Sequence, residues 1–460
     1  MRRRQFIALF GGSALAPLTA LPVYADPPDS CGLPVARGDS WLVASVNDDG
    51  LIDRDALCRM ADRLSSTANV HAVLVARGGK LAFERYFRGS DEVPGRIYGR
   101  RVEFVTFDAD TLHDMKSVSK SVASLVLGIA IDQGLVGSIN EPILSFFPEL
   151  SDLRSPEKER IQLLHALTMS MGLKWVEATP ATGDYNNDEA RMHMAWDPCR
   201  YVLGLAATTP AGQEFFYNTG ALTLVSAIVR MATGRPLDEF ARATLFEPLG
   251  ITGVEWDRIR SDTNAGGGLR LRPRDMAKIG QLVLAGGRWN DSQIVSRGWI
   301  ETSTAPKIEA TGGLFYGYLW WLGRSLLNGR EFHWIGALGR GGQSIRIVPE
   351  LDLVVVVTVG ILPGLQPSSF SSAVLHFQGR LAGNSSVTLN RKRRGSARHW
   401  LGNGTFAVIC GTTDKNSEVL GRLCRTALTP KRPSTALIHL RHWPCGVRNM
   451  RYCATVPCCQ

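Results

Sequence analysis

Hydrophobic alternation marks the two ends of the patterned part of this chain, and helical spacing fills the middle. Val70 to Phe87 reads as a hairpin: the apolar run Ala72-Val73-Leu74-Val75-Ala76, a Gly78-Gly79 turn, and an alternating return from Lys80 to Phe87. A second strand pair stands far downstream, where Gln343–Val348 and Leu353–Val359 flank the tight turn Pro349-Glu350-Leu351-Asp352. The run Val354-Val355-Val356-Val357 has the make-up of a strand covered on both faces.

Between these pairs the apolar residues recur at helical spacing. Val122, Leu125, Val126, Ile129 and Ala130 predict a buried helix opened by Ser117. Further helices are expected at 161–169, at 222–233 ended by Gly234, at 237–245, and at 274–285 ended by Gly286-Gly287. Gly266-Gly267-Gly268 is too short for a linker and suits backbone passing close to another element. Strands at both ends with helices between predict an α+β fold. One antiparallel sheet is built from N- and C-terminal strands, flanked by helices. A mainly helical lobe of about residues 110–260 is inserted, with a cleft where the two meet.

Composition changes this picture only at the termini. Residues 1–25 read as an export signal: Arg2-Arg3-Arg4, a short apolar stretch, and Val23-Tyr24-Ala25 before Asp26. The Arg-Arg-x-Phe-Ile start resembles a twin-arginine signal, which implies a periplasmic or secreted protein. From Ser386 onward thirteen Lys and Arg face only Asp414 and Glu418, a surplus that exceeds the net +10 of the whole chain. The remainder is therefore near neutral, and no nucleic-acid partner is expected of it. Residues 26–383 are read as one domain. Residues 384–460 form a basic tail, holding six of the nine cysteines, whose irregular pattern predicts disorder or a non-homologous segment. Of the dispersed cysteines Cys31, Cys58 and Cys199, one pair is able to form a disulfide in an oxidising compartment.

The candidate chemistry starts at Ser117-Val118-Ser119-Lys120. Residues at i and i+3 share a helix face, so the Lys120 amine is placed beside the Ser117 hydroxyl. A partly buried lysine loses its charge more readily and is then able to take the serine proton. Ser155-Pro156-Glu157-Lys158 has the same spacing, but charged neighbours make it a solvated helix start with Ser155 as N-cap. Tyr217, in Phe215-Phe216-Tyr217-Asn218-Thr219-Gly220, is either a proton relay at a loop-to-helix junction or a core tyrosine. Gly339-Arg340-Gly341-Gly342-Gln343 is either an oxyanion-binding turn or a bulged strand entry. The nine histidines show no metal-ligand spacing, and His113, four residues before Ser117, reads as a framework residue. No G-x-S-x-G elbow, phosphate loop or dinucleotide fingerprint occurs.

In this order and spacing the elements resemble the penicillin-recognising serine hydrolases: class C β-lactamases, DD-peptidases, related esterases and 6-aminohexanoate-dimer hydrolases. The resemblance rests on Val73-Leu74-Val75 with Phe83-Glu84-Arg85-Tyr86, on Leu112 to Ser121, and on Leu167-Thr168-Met169 with Gly172 to Glu177. Tyr217-Asn218-Thr219-Gly220, Gly267-Gly268-Leu269 with Asp275 to Gly280, and Gly342-Gln343 with Val348-Pro349-Glu350 complete it. It implies Ser117 as acylated nucleophile, Lys120 as base, Tyr217 as second proton carrier, and the backbone N–H groups of Ser117 and Arg340 as oxyanion hole. Two departures stand out. Ala337-Leu338-Gly339 replaces the Lys-Thr-Gly of β-lactamases, and Thr219 replaces the Asn of Tyr-x-Asn. Both point to the 6-aminohexanoate-dimer hydrolase and esterase branch. Substrate contacts are then expected from Trp175, Glu177, Tyr185, Asn218, Gly339 and Gln343, with a small amide or ester as the substrate and no metal or organic cofactor. The alternatives are a DD-peptidase or weak β-lactamase on the same scaffold, and a non-catalytic binding protein that keeps the fold.

Overall fold

A computed structural model describes residues 31–39, 41–45, 51–94, 100–177, 186–327 and 329–360. Two units divide the chain, Met1–Thr388 and Leu389–Gln460, and every described residue lies in the first. The export signal of residues 1–25, Tyr185 and the basic tail lie outside the described residues.

Eight strands form one antiparallel sheet. In chain order they are β1 (Val70–Arg77), β2 (Lys80–Tyr86), β3 (Ile308–Glu309), β4 (Phe315–Tyr316), β5 (Trp321–Leu327), β6 (Arg330–Leu338), β7 (Ser344–Val348) and β8 (Leu353–Val359). Their spatial order is β3-β4-β5-β6-β7-β8-β1-β2, so the N-terminal hairpin closes onto the last strand. Val73 pairs with Val357 and Leu74 with Val356, joining segments at opposite ends of the patterned chain. Every residue of β8 is buried. Successive side chains of a strand point to opposite faces, and two cores result. Val355, Val357, Val73, Val75 and Phe83 meet helix α1 (Arg54–Ala68) through Leu57, Ala61 and Leu64. Val354, Val356, Leu74, Ala76, Ile345 and Ile347 join the larger core on the other face.

Three helices dominate that larger core: α2 (Val118–Asp132), α3 (Gly220–Thr233) and α4 (Pro273–Leu284). In α4, a Cβ on Gly280 would stand 2.5 Å from Val354, so glycine is what lets the helix lie flat on the sheet. Trp299 fills a similar notch over Gly128 of α2, its indole N–H donating to the Ser124 carbonyl at 2.9 Å. The expected α+β architecture is present, with the helical segments inserted between the two halves of the sheet. Boundaries differ in detail. The expected helix over 161–169 contracts to Leu163–Leu167, and the one over 237–245 is α-helical to Ala241 and continues as a π turn over Arg242–Phe246. Among the described residues no helix is long and apolar enough to cross a membrane.

Candidate active site

Ser117 stands at the N-cap of α2, and its side chain makes no capping bond to the helix backbone. The hydroxyl instead meets Lys120, whose Nζ donates to Ser117 Oγ at 2.9 Å and to the Gly266 carbonyl at 2.6 Å. Lys120 is 1% exposed, so its four-carbon stem is held by the core and its amine is confined to these two oxygens. The expected close backbone passage at the glycine run is the one that supplies this carbonyl. A Cβ on Gly266 would lie 2.5 Å from Thr219 Cγ2, which excludes any side chain there.

The turn into α2 is held against strain. Lys116 has φ 49°, a left-handed conformation that L-residues other than Asn and Asp seldom take. Asp114 stabilises it, accepting from the Lys116 N–H at 2.9 Å and from Lys116 Nζ at 2.8 Å. Ser119 Oγ donates to the Lys116 carbonyl at 2.6 Å. Gly339, at the end of β6, closes the other side: a Cβ there would stand 2.6 Å from the Met115 carbonyl and 3.3 Å from Lys116 Cβ. Arg340 follows and opens a short 3-10 turn over Arg340–Gly342.

Tyr217 lies across the lysine. Its ring centroid is 5.0 Å from Lys120 Nζ, and the ring stacks on Trp321 at 6.1 Å. Phe215 and Tyr316 pack edgewise on Trp321 and complete an aromatic wall. Burial, together with Tyr217 and Glu177 nearby, holds the Tyr316 phenol well above its usual range and therefore neutral. Trp321 and Tyr316 gave no signal in the sequence, because they come from β4 and β5, about a hundred residues beyond Tyr217.

Two of the side chains expected to contact substrate are buried. Trp175 is 1% exposed in the main core, with its indole N–H donating to Glu177 Oε2 at 2.5 Å. Gln343, also 1% exposed, spends its amide on the Val359 backbone, donating to the carbonyl at 2.5 Å and accepting from the N–H at 3.0 Å. Glu177 turns inward as well: it accepts from the Thr219 N–H at 2.7 Å and from Thr219 Oγ1 at 2.9 Å. The departure at Thr219 thus has a structural account, since its hydroxyl fastens the Tyr217 loop rather than facing a ligand. Asn218 is buried, with an Oδ1 that finds no partner among the described residues. Gly339 and Glu177 are half-exposed, and Gly339 lies beside the turn into Ser117.

His113 is a framework residue, as expected. Burial pushes its imidazole down to about 4, and its Nδ1 donates to the Asp114 carbonyl at 3.1 Å. In the second S-x-x-K segment a 3-10 turn over Lys158–Arg160 has Glu157, not the expected Ser155, at its N-cap; Ser155 Oγ accepts from the Lys158 N–H at 3.3 Å and donates to Glu157 at 2.8 Å.

Comparison with known proteins follows this geometry. The family model described as Beta-lactamase matches residues 66–368. A curated 6-aminohexanoate-dimer hydrolase from Paenarthrobacter ureafaciens is 26% identical over 322 residues, which cover 65% of this chain and 74% of that protein. A solved structure from Bacillus anthracis, described as a 6-aminohexanoate-dimer hydrolase, superposes with a TM-score of 0.57 at 20% identity over 75% of this chain and 89% of its own. The octameric penicillin-binding protein homologue from Pyrococcus abyssi gives 0.55 at 20% identity, covering 73% and 78% of the two chains.

Proposed function

As a member of the beta-lactamase family, this chain is a serine hydrolase, and we propose that it cleaves small amides or carboxylic esters through an acyl-enzyme on Ser117. One observation carries the reading: a fully buried amine held at 2.9 Å from a half-exposed serine hydroxyl. In the proposed first step Ser117 Oγ attacks the substrate carbonyl while Lys120 Nζ takes its proton. The backbone N–H groups of Ser117 and Arg340 receive the developing oxyanion. As the C–N or C–O bond breaks, Tyr217 passes a proton to the leaving amine or alcohol. Water then attacks the acyl carbonyl, and the same groups return the proton to Ser117.

The aromatic wall of Tyr217, Trp321 and Phe215 suits an acyl or leaving group with an apolar chain. Ala337 stands buried where β-lactamases carry the lysine that binds a substrate carboxylate, which favours amides and esters over β-lactams. We propose further that the protein is exported. The disulfide between Cys31 and Cys58 supports this, because such bonds persist in oxidising compartments.

Intact mass spectrometry after incubation with p-nitrophenyl esters, linear amide dimers and a fluorescent penicillin tests the reading. An acyl adduct mapped to Ser117 from an ester or amide is the expected result. An adduct on another residue, or an unmodified protein that turns nothing over, would overturn it. Labelling by penicillin alone would shift the assignment to a DD-peptidase.

A further inference from the structure

A second cluster of chemically able side chains lies outside the site just described. His71 on β1, Asp91 on the strand Arg88–Pro94 and His113 on the short strand His113–Asp114 converge, with one ligand atom of each within 4.8 Å of the others. All three are buried, at 0%, 8% and 1% exposure. His71 Nδ1 and His113 Nε2 face each other at 2.9 Å.

The tautomers leave this arrangement incomplete. A carbonyl only accepts, so His113 carries its proton on Nδ1, where it donates to Asp114 O. His113 Nε2 therefore presents a lone pair to His71. If His71 answers with a proton on Nδ1, its Nε2 is left bare, and that fully buried atom has no hydrogen-bond partner among the described residues. If His71 instead carries its proton on Nε2, two lone pairs confront each other across 2.9 Å. In the second arrangement His113 still gives its outer N–H to the Asp114 carbonyl, a usual support of a metal-bound histidine. A cation between the inner nitrogens removes the conflict of their lone pairs.

We propose that His71 Nδ1, His113 Nε2 and an Asp91 carboxylate oxygen form a structural site for one divalent transition-metal ion, zinc by the character of its ligands. Two neutral imidazoles and one carboxylate are a set that zinc favours over calcium or magnesium. A tetrahedral ion bonded at about 2.0–2.2 Å holds its ligand atoms roughly 3.4 Å apart. The histidine pair therefore opens by a few tenths of an ångström and the carboxylate draws in. Phe107 stacks on the His71 ring at 3.9 Å and seals the site from one side. The ion would tie three strands together and anchor His113-Asp114, the residues that lead into the strained Lys116 turn before Ser117.

The test uses the full chain, stripped with a chelator and then titrated with Zn²⁺ or Co²⁺. Expected are about one equivalent of bound metal, a raised thermal midpoint, and Co²⁺ bands typical of nitrogen and oxygen ligands. Asp91→Asn and His113→Gln are each expected to weaken binding at least tenfold, and Ser117→Ala to bind as wild type. A folded wild-type protein that holds no Zn²⁺ or Co²⁺ and shows no shift overturns the proposal, whether or not the variants fold. So does wild-type affinity in either cluster variant, or a Co²⁺ spectrum with thiolate charge-transfer bands, which would place the metal on cysteines.

Discussion

Ser117–Lys120 and Ser155–Lys158 share one spacing and end in different chemistry. In the first, Lys120 Nζ reaches its own serine at 2.9 Å. In the second, Lys158 Nζ turns away and donates to the Leu203 carbonyl at 2.7 Å. The local backbone and what else each side chain is offered make the difference. Ser155 lies ahead of a 3-10 turn over Lys158–Arg160, and its Oγ is spent on the Lys158 N–H and on Glu157. Ser117 makes no capping bond, and the core leaves Lys120 no route to water. Ser117 is open to the proposed nucleophilic role because the helix start does not use its hydroxyl.

The largest effect expected from breaking this contrast is on turnover. Ser117→Ala removes the proposed attacking atom and is expected to lower kcat by about 10⁴-fold or more, while Ser155→Ala leaves kcat within about twofold. Parallel ester-hydrolysis assays on both variants, with circular dichroism as a fold check, decide it. Equal losses in the two would mean that neither serine is special. Next comes the amine. Lys120→Ala is expected to cost about 10³-fold in kcat, the scale of a lost general base. Lys158→Ala should leave the rate near wild type.

That contrast also shows how far the sequence was legible. The Ser117–Lys120 contact is local, so helical spacing and apolar neighbours were enough to find it. The hairpins β1–β2 and β7–β8 were legible for a similar reason, through continuous apolar runs in β1 and β8, alternation in β2, and tight turns. Strands β5 and β6 were obscured by glycines. Gly323 and Gly336 break the alternation because the Trp334 ring occupies the space a Cβ would need, 2.2 Å away at Gly323. The inward turn of Trp175 and Gln343 was not legible because no local pattern records which way a side chain turns. Their partners, Glu177 and the Val359 backbone, fix that direction only in the folded chain. The histidine–aspartate cluster escaped notice because its members come from three strands and share no spacing.

Glu177 gives a third, intermediate effect, since it acts on Lys120 only through the Tyr217 loop. It accepts three hydrogen bonds, two from Thr219 and one from Trp175. Glu177→Gln keeps the shape but loses one accepting oxygen, which loosens the loop beside the lysine. A drop of about 10–100-fold in kcat with KM little changed is expected of such a positioning residue. A fall in KM-dependent binding at unchanged kcat would instead assign Glu177 to the substrate.

The smallest effect lies in the second segment and is one of pH. Burial holds the Lys158 ammonium below the usual lysine range, so its charged form is disfavoured in the folded chain. Between that lowered value and the ordinary one near 10.4, the unfolded chain binds more protons than the folded one. Stability contributed by this group therefore rises with pH through that window, and the penalty is fully present at neutral pH. Lys158→Met keeps the apolar stem and removes the titration. Urea midpoints of wild type and variant should then diverge between pH 7 and about pH 10, with the wild type gaining on the variant. Parallel curves would show that Lys158 is solvated as freely as its surface position suggests, and that the Leu203 carbonyl does not hold it.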